Sequence, residues 1–382
     1  MILINTLGIR DSGGMTVLNR VLEECSLNKS NNYLVVCSNN ENINILYNDY
    51  KDKKHLVFKF FQVKSVLHRL YIENVTFKFL QKLHNIKLIY NFSGSAQFFS
   101  KTPQLIKLHD LSYFSRAVSR EFFAQKRYFE WFKKIFIKRL VFSIMIKQAD
   151  FLEMQSRHVQ SHIQDYIDIS AKKIFFKSDI DIERKDFKRP VIMDPMAKLT
   201  LIYIVGPHFQ SVHKNFKTFV TAVSKLKNEG FDFEIAVTLT KEELRRSTLW
   251  NQSLNSRTRF LGYLPKAQLT RIFKSNSILV STSIIETLGL HVIEAVQNGV
   301  LAIVPNEKYS LNVYGPSALT YETFSSVSLA EAIRNTNSKS GQELYSIFVS
   351  NQNFLLNNKF CRFSGVVEIF DLILSQYVGE QI

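Results

Sequence analysis

Short apolar runs alternate with longer stretches of helical periodicity along the whole chain. In the first half, runs at 1–5, 33–37, 57–61, 87–91, 104–108, 150–154 and 173–176 predict strands, with helical patterns such as 15–26 and 156–167 between them. In the second half the strand pattern returns at 201–205, 234–237, 259–261, 278–281 and 301–304. Within 215–228, Phe216, Phe219, Val220, Val223 and Leu226 repeat at helical spacing. Pro265 stands where a helix would begin, ahead of 266–274. Strands alternating with helices imply parallel sheets built from βαβ units. The segment 179–198 is charged, holds Pro190 and Pro195, and lacks periodicity. It separates two doubly wound α/β domains, expected at 1–185 and 200–360 with a linker at 186–199, facing a cleft. A helical pattern within 361–382 is expected to return to the first domain.

Length and composition agree with two globular domains: 382 residues, 46% of them hydrophobic. The chain carries 49 Lys+Arg against 33 Asp+Glu, a formal charge of +16, which favours anionic partners without choosing among nucleic acid, lipid and phosphorylated ligands. Cys25, Cys37 and Cys361 fit neither a metal spacing nor a disulfide framework, so a reducing compartment is expected. The first residues read as a strand and not a signal peptide, and no run approaches the ~20 apolar residues that span a bilayer.

The richest chemistry lies between Glu286 and Glu294. They bracket a loop and a helix start, so two carboxylates sit beside unsatisfied backbone N–H groups that can receive phosphate. From Leu290 onward, Val292, Ile293 and Val296 form one face; His291, Glu294, Gln297 and Asn298 form the other. Gly289 permits close backbone approach. The alternative is a solvated Glu294 in a favourable helix dipole. Lys214, in the strand-to-helix loop 206–215, is placed to neutralise a diphosphate. Gly13 and Gly14 form a paired-glycine turn before a helix, or simply a tight turn. His109 closes an apolar strand and should lie at the carboxyl edge of its sheet. Residues 120–147 interleave Lys and Arg with Phe, Tyr and Trp, which suits either contact with anionic lipid or a core helix with snorkelling cations. The D-x-D pattern at Asp179 and Asp181 lies in the linker, not at a strand end, and is not read as a metal site.

The block 259–304 resembles the retaining glycosyltransferases of family 4, which have the GT-B fold. Glu286 and Glu294 match the E-x7-E motif, Phe260-Leu261-Gly262 the F-x-G strand end, Lys214-Asn215 a Lys-Asn pair, and His109-Asp110-Leu111 an HD-L segment. The resemblance implies that Glu294 holds the ribose of a nucleotide-sugar and Glu286 contacts the transferred sugar. It further implies that the N–H groups of Leu288, Gly289 and Leu290 receive sugar or diphosphate oxygens, that Lys214 binds the diphosphate, and that His109 faces the sugar. The loop with Gly13 and Gly14 would face the donor phosphates. Leu288 stands where the family has an aromatic residue, and the Arg that many members carry after the 201–205 strand is absent. The implied activity is retaining transfer of a hexose or deoxyhexose to an acceptor hydroxyl, without metal or cofactor besides the nucleotide-sugar. The expected acceptor is a lipid-linked oligosaccharide or another saccharide, in synthesis of bacterial surface polysaccharide such as O-antigen, lipopolysaccharide or capsule. The expected location is cytoplasmic, peripheral on the inner membrane. The alternative is a basic membrane- or nucleic-acid-binding protein on an inactive GT-B scaffold; no nucleic-acid partner is expected, because no helix-turn-helix, zinc or ribonucleoprotein motif is present.

Overall fold

The structure, a computed structural model, describes residues 1–9, 12–179, 187–190, 197–357 and 363–379. The chain divides into two compact units. The first comprises Met1–Phe114, Phe129–Asp179 and Phe360–Ile382; the second comprises Ser115–Tyr128 and Ile180–Lys359.

Among the described residues, the first unit holds seven parallel strands: β1 (Ile2–Asn5), β2 (Tyr33–Ser38), β3 (Leu56–Phe61), β4 (Leu88–Asn91), β5 (Gln104–Leu108), β6 (Phe151–Met154) and β7 (Lys173–Phe176). Their order across the sheet is β3-β2-β1-β4-β5-β6-β7. Alternate residues of β1 serve opposite layers, as a pleated strand requires. Ile2 and Ile4 pack with Val17, Leu18 and Val21 of helix Ser12–Leu27 and with Val366, Ile369, Phe370 and Ile373 of helix Val366–Gly379. Leu3 packs on the other face with Ile72, Phe77 and Leu80. The C-terminal helix is held at its start by Glu24, whose Oε2 accepts from the Val366 N–H at 2.5 Å, a favourable place for an anion.

The second unit holds β8 (Leu199–Tyr203), β9 (Phe233–Val237), β10 (Thr258–Phe260), β11 (Ser277–Val280), β12 (Leu301–Pro305) and β13 (Leu319–Tyr321), ordered β10-β9-β8-β11-β12-β13 and all parallel. In helix Phe216–Asn228 the five residues that repeat at helical spacing are all buried. The edge strand β13, Leu-Thr-Tyr, carries no apolar run and escapes a sequence reading. Pro265 caps the following helix, Lys266–Leu269, one position earlier than expected.

Chain order reverses between β1 and β4 in the first sheet and between β8 and β11 in the second. Such switch points open a crevice beyond the carboxyl ends of the strands, where ligands bind in open α/β sheets. No helix among the described residues is long and apolar enough to cross a membrane.

Candidate active site

Two loops meet at the β8/β11 switch point. One follows β8 and ends in a tight 3-10 turn, Val212–Lys214, after which Asn215 adopts a left-handed conformation at φ 49° before its helix. The other follows β11 through Ser281, Thr282 and Ser283, all buried. Thr282 Oγ1 donates to the Lys214 carbonyl at 2.8 Å, Tyr203 Oη lies 2.7 Å from Thr282 Oγ1, and the Ile284 N–H donates to the His213 carbonyl at 2.7 Å. These bonds fix the two loops side by side and bring Lys214 Nζ to 2.7 Å from Glu286 Oε1. Burial alone would raise the Glu286 carboxyl. The charge and hydrogen bond of Lys214, together with His291 and a hydrogen bond from Ser283, more than offset this and hold it at about 2. Glu286 is therefore an anion at neutral pH. His291 Nε2 lies 3.0 Å from Ser281 Oγ, and burial lowers its ring to about 4, so it is neutral there.

The loop then enters helix Leu290–Gln297 through Gly289 at φ 59°, ψ 58°. Among the described residues, the N–H groups of Leu288, Gly289 and Leu290 donate to no backbone acceptor, as expected at a helix start. The carbonyls of the same loop are occupied. Tyr314 Oη donates to the Leu288 and Gly289 carbonyls at 2.9 and 3.1 Å, and Tyr309 Oη donates to the Ser283 carbonyl at 2.5 Å. Both tyrosines come from helix Lys308–Tyr314. The loop is thus pinned through its carbonyls while its N–H groups stay available. Glu294 lies one turn beyond Leu290, on the half-buried face it shares with His291, opposite the buried Val292, Ile293 and Val296.

Lys214, Glu286, Leu288, Gly289 and Leu290 are therefore gathered at one switch point, with Glu294 on the adjoining helix. The Leu288 side chain is buried, so it offers a ligand its backbone only. His109, Gly13 and Gly14 belong to the first unit. His109 follows β5 directly and is exposed, with its ring stacked 6.5 Å from that of Phe92. Gly13 and Gly14 differ from the expected turn: they lie inside the first turn of helix Ser12–Leu27, and neither has a positive φ. A first turn tolerates them because its N–H groups need no intrahelical partner; Asp11 of that motif lies outside the described residues. Asp179 is buried and ion-paired with Lys107 at 2.6 Å, and Asp181 lies outside the described residues. Tyr309 and Tyr314 escape sequence reasoning because they stand more than twenty residues past the loop they pin. An Arg69–Glu73 pair beside β1 also escaped, although its i,i+4 spacing was visible.

Residues 201–348 match the family described as Glycosyl transferases group 1. The Drosophila melanogaster tRNA-queuosine alpha-mannosyltransferase is 23% identical over 178 residues, covering 45% of this chain and 46% of that protein; the chain spans about half the length of this curated relative. Among solved structures, sucrose-phosphate synthase from Thermosynechococcus elongatus superposes with a TM-score of 0.71 at 14% identity, covering 99% of both chains. Anabaena HepE in complex with UDP-glucose gives 0.64 at 16% identity, again over 99% of both. WaaG, a glycosyltransferase involved in lipopolysaccharide biosynthesis, gives 0.62 at 12% identity, over 94% of this chain and 96% of its own. Residues 201–348 thus carry a Glycosyl transferases group 1 domain, and the chain has the GT-B fold of two parallel-sheet, Rossmann-like units.

Proposed function

We propose that the chain is a retaining glycosyltransferase that moves a hexose or deoxyhexose from a nucleotide-sugar to an acceptor hydroxyl. The observation that carries this reading is the Lys214–Glu286 pair at the β8/β11 switch point, beside a loop whose N–H groups are held open by Tyr309 and Tyr314. Loss of a nucleoside diphosphate from the anomeric carbon leaves an oxocarbenium-like centre and a growing negative charge. Lys214 and the helix-start amides receive that charge, so no metal is needed in this reading. Glu286, ionised at neutral pH, accepts from hydroxyls of the transferred sugar. Glu294 accepts from the ribose diol. The new bond forms between the acceptor oxygen and the anomeric carbon on the face the diphosphate leaves. The departing diphosphate oxygen takes the acceptor proton, and the configuration is kept.

For the acceptor, a lipid-linked saccharide in surface-polysaccharide synthesis is favoured by two apolar stripes on the first unit. Leu67, Tyr71, Val75, Phe79 and Leu83 repeat every four residues and are exposed; Phe129, Phe132, Phe136, Leu140 and Ile144 form a second exposed stripe within the basic stretch 120–147. Lys78, Lys82, Lys133, Lys134 and Lys138 stand among them. The adjoining backbone N–H groups of Phe98 and Phe99 donate to Asn74, on the first helical stretch, and Gln148, at the end of the second. Apolar stripes interleaved with cations suit an anionic bilayer surface. A transfer RNA acceptor is the second reading, favoured by the +16 charge and the queuosine mannosyltransferase relative.

Donor hydrolysis and transfer assays on Lys214→Ala and Glu294→Ala test the donor site. Each should lower kcat/KM at least tenfold with the thermal transition unchanged; full activity in both contradicts the assignment.

A further inference from the structure

Lys214 and Glu286 are assigned to different parts of the donor, yet they are bonded to each other. Lys214 Nζ donates to Glu286 Oε1 at 2.7 Å, and 27% of the lysine side chain and 18% of the glutamate side chain are exposed, so an incoming ligand can reach both. Ser283 also bonds the carboxylate. Glu286 stands beside the amides that would receive a diphosphate: its Cβ lies 3.7 Å from where a Cβ on Gly289 would stand. The turn that carries Lys214 is fixed, by Thr282 on the Lys214 carbonyl at 2.8 Å and by the Ile284 N–H on the His213 carbonyl at 2.7 Å. The ammonium therefore works over a short range, and the carboxylate lies inside it. His291 is neutral at pH 7 and adds no second cation. One ammonium thus serves two anions, the Glu286 carboxylate and the diphosphate.

We infer, on the glycosyltransferase reading of these residues, that Glu286 competes with the bound diphosphate for Lys214, so that the site holds a nucleotide-sugar and releases the bare nucleoside diphosphate. A nucleotide-sugar that draws Lys214 to its phosphates also brings sugar hydroxyls, which donate to the carboxylate and replace the ammonium as its partner. A bare diphosphate brings no such hydroxyl. The half-buried carboxylate then loses its cation with nothing in exchange, which disfavours the complex. The terminal phosphate of the bare diphosphate also takes a further negative charge, its second ionisation falling at about 6 as in phosphate monoesters. That charge stands close to a like charge on Glu286. Both effects act on the product and spare the donor. The residue that receives the sugar therefore also expels what remains once the sugar has gone.

Isothermal titration calorimetry of the full chain with UDP, GDP and ADP and with their hexose conjugates, chelator present, tests this competition. In the wild type the conjugate should bind more tightly than its own diphosphate. In Glu286→Gln the diphosphate should bind at least fivefold more tightly than in the wild type, while the conjugate gains nothing. Glu294→Gln loses a contact to the ribose that both ligands carry, so it should weaken both alike. Glu286→Asp keeps the charge but withdraws it from Lys214. It should tighten diphosphate binding by a smaller factor, at least twofold, and it serves if Glu286→Gln fails to fold. Diphosphate binding that is unchanged or weaker in the Glu286 variants, a gain shared by the conjugate, an equal gain in Glu294→Gln, or a wild type that holds the diphosphate as tightly as the conjugate overturns the inference and leaves the glycosyltransferase reading standing. No binding of any nucleotide or conjugate to the wild type removes both.

Discussion

The Tyr314 hydroxyl occupies the space that a side chain at Gly289 would need: it donates to the Gly289 carbonyl at 3.1 Å, and a Cβ built on Gly289 would stand 2.1 Å from it. Gly289→Ala must therefore displace the tyrosine and hold alanine at φ 59°. The left-handed conformation alone costs roughly 1–2 kcal/mol, and the displaced hydroxyl adds a lost hydrogen bond of about 1 kcal/mol. Tyr314→Phe loses the hydrogen bonds but removes the clashing oxygen. Denaturant unfolding of the two single variants and the double variant should show a double-mutant cost below the sum of the singles. Strict additivity would mean that the two residues do not share this space.

Protonation of the site should weaken the second unit in acid. His291 is held at about 4, below its ordinary 6.5, and Glu286 at about 2, below its ordinary 4.5. For both, the unfolded chain binds the proton more readily. The stability from His291 is complete above about 6.5 and is lost as pH falls toward 4; that from Glu286 is complete above about 4.5 and is lost as pH falls toward 2. Each amounts to about 3 kcal/mol at most. Thermal transitions of His291→Gln measured from pH 7 to pH 4 should fall less steeply than those of the wild type. Parallel curves would show that the His291 ring is not held below its ordinary value.

The apolar stripes make a separate prediction. Flotation with vesicles of phosphatidylglycerol and phosphatidylethanolamine should carry the wild type, and replacing the anionic lipid with phosphatidylcholine should release it. Phe79→Asp combined with Phe129→Asp should reduce binding at least tenfold, since both rings are more than half exposed and their loss leaves the core intact. Unchanged flotation of that variant would leave the stripes without a lipid role.

The central strands were legible because they are buried on both faces and so read as continuous apolar runs. Ile278-Leu279-Val280 and Leu201-Ile202-Tyr203 are visible for that reason, and their loops then place Lys214 and Glu286. Their pairing at 2.7 Å was not legible, because it depends on Thr282 and Ile284 bonding to the backbone of Lys214 and His213, far away in the chain. Nor was the buried quartet of the first unit. Lys107 bonds Glu153 and Asp179, each at 2.6 Å, and Tyr90 Oη donates to Glu153 at 2.7 Å, so charged residues sit inside β5 and β6 where local patterning expects apolar ones. The interleaving of cations and aromatics in 120–147 does not say which rings are buried: Phe122, Ile135 and Met145 are core, while Phe129, Phe132 and Leu140 face solvent.

The central claim is tested most directly by thermal shift of the full chain against UDP, GDP, ADP and their sugar conjugates, with chelator present. A ligand that binds the native state raises its transition by mass action. The account predicts a selective rise with one nucleotide family, lost in Lys214→Ala and Glu294→Ala. No rise with any of them, or a rise that both variants retain, would contradict it.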